Sequence, residues 1–131
     1  MNDIRVTAKI YNLDSPSRTG RLYTEEALNG AFNNRIFMER NEHNSIPIFT
    51  EDGELIGTAH CSLDYPTINI EGVINSRFKD VLKDAALTHS GCGHLEYDAE
   101  NDRKIVTDYK LYELLLSSAA YVDCSMEVVK E

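Results

Sequence analysis

The chain has 131 residues and a mass of 14.8 kDa, enough for one domain with a real core. Apolar residues make up 42% and charged residues 27%, the proportions of a folded globular chain rather than a disordered one. The net charge of −9 argues against binding nucleic acid by phosphate neutralisation and against docking on anionic membranes.

Residues 4–11 alternate, with Ile4, Val6, Ala8 and Ile10 on one face, and predict a half-buried strand. Residues 12–20 hold Asp14, Ser15, Pro16, Ser17 and Gly20 and read as a loop. Thr24 is a helix cap followed by Glu25 and Glu26, where the helix dipole favours acids. Ala27, Leu28, Ala31, Phe32, Ile36 and Met38 then predict one helix over residues 24–40, weakened by Gly30. Ile46, Ile48 and Thr50 predict a short strand with Pro47 near its start. Residues 51–54 form a turn, residues 55–59 resume an extended stretch, and Asp64-Tyr65-Pro66 punctuates the chain.

Ile68, Ile70 and Ile74 predict a strand within residues 67–76. Phe78, Val81, Leu82 and Ala85 suggest a short helix over 78–86. A glycine-interrupted strand over 87–97, a polar connection over 98–103 and a long strand over 104–116 read as a hairpin. Neither face of the long strand is clean: Ile105, Thr107, Tyr109, Leu111 and Glu113 alternate with Val106, Asp108, Lys110, Tyr112 and Leu114. Residues 117–123 read as a break and 125–130 as a last strand. The expected fold is a single domain over residues 1–131, mainly β with flanking helices (α+β). Its six to seven strands form a small closed or partly closed β-barrel.

No apolar run approaches the roughly 20 residues of a membrane-spanning helix. Met1-Asn2-Asp3-Ile4-Arg5 does not open a leader, so a cytoplasmic setting is expected. Cys61, Cys92 and Cys124 are odd in number and read as reduced thiols. His60, Cys61, His89, Cys92 and His94 invite a metal test, but their spacing matches no closed zinc pattern, and no metal or cofactor is expected. The glycines form no dinucleotide or phosphate-loop motif. Tyr97, Tyr109, Tyr112 and Tyr121 are expected to pack in the core or an interface.

Ser90 is the hydroxyl of most interest, because Gly91 and Gly93 beside it permit close backbone approach and an oxyanion hole. His89 would point away from it on a strand. His60 is the candidate base and Asp64 the candidate acid to orient it.

Three stretches carry a family resemblance. Ser17-Arg18-Thr19-Gly20-Arg21-Leu22-Tyr23 and the helix after it form the first. Leu63-Asp64-Tyr65-Pro66 is the second. The third is the run over 87–129, with Asp108, Leu111, Glu113, Ala120 and Cys124 at matching positions. Together they resemble the prohead (head-maturation) proteases of tailed bacteriophages, which share a serine-protease fold with the herpesvirus assembly proteases. The resemblance implies a small β-barrel flanked by helices and a serine–histidine endopeptidase that cleaves scaffold and capsid proteins.

Ser90 falls in the nucleophile zone of that pattern. Tyr65, however, stands where the resemblance places the catalytic histidine, and tyrosine, with a pKa of about 10, is a poor base near neutrality. The family's proline near the end of the barrel is missing from Ser118-Ala119-Ala120-Tyr121. The resulting expectation is a catalytically inactive, protease-like structural protein of a phage particle or head assembly. Its expected partners are capsid, scaffold or other particle proteins in an oligomer or larger assembly, with no nucleic acid and no membrane. Its expected location is the virion, assembled in the host cytoplasm. The alternative is an active maturation serine protease using Ser90, His60 and Asp64, and a third reading is an unrelated β-rich interaction protein.

Overall fold

The computed structural model describes residues 3–83, 85–118 and 123–129. Its strands are β1 (Ile4–Tyr11), β2 (Arg21–Tyr23), β3 (Ile46–Thr50), β4 (Leu55–Asp64), β5 (Thr67–Ile74), β6 (Ala86–Asp98), β7 (Arg103–Ser117) and β8 (Asp123–Val128). Helices α1 (Glu25–Phe32) and α2 (Arg35–Glu42) lie between β2 and β3, and a 3₁₀ helix, Ser76–Leu82, precedes β6. The expected architecture holds: one mixed sheet curls strongly into an open half-barrel with three helices against it. The described strands number eight because three-residue β2 forms where the sequence predicted only an approach to a helix.

Strands β8, β1, β5, β4 and β3 follow one another as antiparallel neighbours. The sheet then passes to β7, whose Leu114–Leu116 segment pairs with β3 in parallel. Farther back on β7, Lys104, Ile105 and Val106 pair in parallel with β2. Since β6 pairs along the whole of β7, β2 and β3 share its other edge end to end. The curl brings β6 back towards β1 and β8.

The mixed faces of β7 have a specific cause. Against β6, His94 and Leu95 pair with Asp108 and Val106, which leaves Thr107 extra. Likewise Ser90 and Gly91 pair with Glu113 and Leu111, which leaves Tyr112 extra. Each extra residue is a β-bulge that resets the alternation. Val106, Tyr109, Leu111, Leu114 and Leu116 therefore all reach the core although their numbers change parity. They join Val6, Ala8 and Ile10 of β1 and Ile68, Ile70 and Ile74 of β5.

The single helix expected over 24–40 is two helices. Thr24 does cap α1, its Oγ1 accepting from Ala27 N at 3.1 Å. Asn33 ends α1, and the Asn34 side chain accepts from Ile36 N and Phe37 N to begin α2. Asn at a cap competes with helix continuation, so the break falls at the asparagine pair rather than at Gly30. Helix α1 buries Ala27, Leu28 and Ala31, whereas α2 buries only Phe37, and Ile36 and Met38 are exposed. The helix expected over 78–86 is the earlier 3₁₀ turn, started by the Asn75 side chain accepting from Arg77 N. Pro47 precedes the rungs that β3 makes to β7 and so removes no donor from that ladder. Residue 84, most of the break at 117–123, Ala120 of the family pattern and Lys130 lie outside the described residues.

Deletion of Thr107 alone is expected to abolish cooperative unfolding in urea. It removes one reset and sends the apolar residues on one side of the bulge to the wrong face. An unchanged midpoint would show that the bulge is dispensable.

Candidate functional site

One cleft joins the loop before β2 to the β6–β7 hairpin. It has a volume of about 430 Å³ and is bordered by Ser17, Thr19, Arg21, Tyr23, His89, Ser90 and Tyr109, among others. Alternation along β6 puts Leu87, His89, Gly91, Gly93 and Leu95 opposite Leu116, Leu114, Leu111, Tyr109 and Val106, on the core side. A methyl group at Gly93 would stand 3.1 Å from the Tyr109 ring, and one at Gly91 3.0 Å from its hydroxyl. The two glycines thus let the Tyr109 ring lie across β6 and reach His89.

There the Tyr109 hydroxyl and His89 Nδ1 are 2.8 Å apart. Tyr23 completes the group, its ring edge-on to His89 at 4.7 Å and to Tyr109 at 5.5 Å. Burial, followed by the charge of Arg21, lowers the His89 pKa to about 4, so the ring is neutral at pH 7. Burial also holds the Tyr109 phenol well above its ordinary value. We therefore assign the phenol as donor to Nδ1, which places the imidazole hydrogen on Nε2. Nε2 is buried and has no partner among the described residues. A buried polar atom in that state costs about 1–3 kcal/mol.

The sequence candidates occupy separate places. Ser90 borders the cleft, but alternation sends its side chain to the face opposite His89, and its Cα partner is Glu113. Its hydroxyl makes no hydrogen bond among the described residues. His60 lies on β4 and donates through Nδ1 to the Asn41 carbonyl at 2.8 Å. The Asn41 side chain takes both backbone groups of Cys61, accepting from its N–H and donating to its C=O, each at 2.7 Å. This amide continues the β4 edge where β3 no longer pairs with it. Asp64 is exposed at the end of β4. Tyr65 donates its hydroxyl to the Tyr23 carbonyl at 2.8 Å, and burial, with Asp14 and Glu25 nearby, holds its pKa up. Neither His60 nor Asp64 borders the cleft that Ser90 borders.

The cysteines and histidines are equally dispersed. Cys61 is buried and its thiol is pushed up to about 12 by burial, while exposed Cys92 lies 3.3 Å from the Tyr112 hydroxyl. Among the described residues no three His, Cys, Asp or Glu side chains gather to hold a metal. His89, Tyr109, Tyr23 and Arg21 are the site that sequence reasoning passed over. The legible signal was the pair of glycines at alternate positions, which asked for something large to cross them.

No family model, curated protein or solved structure matches this chain.

Replacing Asn41 by Ala is expected to destabilise the fold by about 2 kcal/mol, because both backbone groups of Cys61 lose the side-chain amide that pairs them. The midpoint of urea unfolding measures this directly. His89 makes stability depend on pH. Its folded pKa of about 4 lies below its ordinary 6.5, so the unfolded chain binds the extra proton between those values. Its contribution is complete above about pH 6.5 and is lost as pH falls towards 4, by at most about 3 kcal/mol. The stability difference between the native chain and His89→Gln, followed over that window, should show this slope. A pH-independent difference would contradict it.

Proposed function

We propose that this chain is a catalytically inactive, serine-protease-like domain that serves as a structural protein of a bacteriophage particle or its head assembly. The three stretches resembling prohead proteases support the lineage, and a curled β sheet with helices against it agrees with the fold they imply. The loss of catalysis is supported by one observation: the bases that the sequence offered do not meet Ser90. His60 lies outside the cleft that Ser90 borders, Tyr65 donates its hydroxyl to the Tyr23 carbonyl, and His89 is on the other face of β6 with Nδ1 bonded to Tyr109. A serine without a base to take its proton is a weak nucleophile. A fold without its chemistry acts through what it binds. The partners under this reading are capsid, scaffold or other particle proteins in a larger assembly.

The purified chain should take up no more of a serine-reactive fluorophosphonate than Ser90→Ala does. It should leave phage scaffold and capsid proteins uncut while co-sedimenting with them. Labelling and cleavage that Ser90→Ala abolishes would establish the maturation protease instead.

A further inference from the structure

The cleft beside His89 has a charge balance opposite to that of the chain. Asp and Glu outnumber Lys and Arg by 22 to 13 over the sequence, yet among the described residues no Asp or Glu borders the cleft. Arg21 does border it, is exposed, and pairs with no carboxylate among the described residues. Its charge bears on Tyr23, His89 and Tyr109 together, so the guanidinium lies near the aromatic group.

Lys104 is the register neighbour of Arg21 across β2 and β7, and it is exposed as well. Tyr23 and Val106, two residues further along each strand and on the same face, both border the cleft. A second cation, Lys104, therefore stands on the strand beside Arg21, next to the residues that border the cleft. The walls carry hydroxyls, with Ser17 and Thr19 3.0 Å apart, and the unpartnered Nε2 of His89 adds a donor below them. Leu95 and Val106 supply apolar surface. One edge of β6, which forms a wall of this cleft, pairs with no other strand among the described residues. A free strand edge beside a pocket suits an extended peptide, whose backbone adds to the edge while one side chain fills the pocket.

Resting on the reading of the chain as a binding module, we propose that this cleft binds an extended peptide segment of a partner protein through a side-chain carboxylate. Arg21 grips the carboxylate, Lys104 adds charge from the neighbouring strand, and β6 aligns the peptide backbone.

The test titrates the full ¹⁵N-labelled chain with three short alanine–valine peptides. One has a central glutamate and blocked ends, one a central glutamine and blocked ends, and one a central glutamine with a free C-terminus. The glutamate peptide is expected to shift the amides of residues 19–23 and 88–95 saturably. Both glutamine peptides should bind at least tenfold more weakly. Arg21→Gln should erase the preference for glutamate, Arg21→Lys should keep part of it, and Lys104→Gln should reduce it, each with the rest of the spectrum unchanged. Equal binding by the two blocked peptides, or a preference that survives in Arg21→Gln, would overturn the proposal. Preference for the free C-terminus would overturn the side-chain assignment. Cleavage of the glutamate peptide by the native chain but not by Ser90→Ala would overturn the inactive reading alone, and the Arg21→Gln comparison would still decide the carboxylate.

Discussion

Strand β7 is the constraint on which the other parts depend. Three strands draw hydrogen bonds from it, β6 along one edge and β2 and β3 in succession along the other. A straight fifteen-residue strand would present alternate residues to the core without interruption. The core instead needs Val106, Tyr109, Leu111, Leu114 and Leu116, and the extra residues Thr107 and Tyr112 reconcile that list with the pleat. Bulges also increase local twist, which fits a sheet that curls back on itself rather than spreading flat.

The cleft follows from the same strand. Because Thr107 shifts the alternation, Tyr109 faces the core side of the sheet, where its ring crosses two glycines and its hydroxyl meets His89. The result is a polar atom pair embedded among aromatic rings, with exposed Arg21 near it. The imidazole is held neutral, and its Nδ1 is occupied by a phenol that burial keeps protonated.

Much of the scaffold was legible in the sequence. Clean alternation in residues 4–11 and at Ile68, Ile70 and Ile74 gave β1 and β5 directly, and Thr24 marked the start of α1. The asparagine pair that divides the helix was written in the chain but outweighed by the apolar spacing through Ile36 and Met38, both of which prove exposed. The uneven faces of β7 were visible as an anomaly, but the bulge positions come from pairing with β6, which a single strand does not encode. The site was less legible. His60 and Asp64 lie near Tyr65 in sequence, yet β4 carries His60 to the Asn41 backbone carbonyl, outside Ser90's cleft. His89 was set aside because it points away from Ser90, and it does; its partner Tyr109, twenty residues on, comes to it through the hairpin register.

Thr24 has one hydroxyl with two duties. Its oxygen accepts from Ala27 N in the first turn of α1, and its hydrogen goes to the Val106 carbonyl of β7 at 3.0 Å. Val106 borders the cleft and sits one residue before the Thr107 bulge. The start of the helix and the floor of the cleft are therefore joined through a single side-chain oxygen. In energetic terms they belong to one cooperative unit. Whatever steadies the floor of the cleft also suppresses fraying at the beginning of α1.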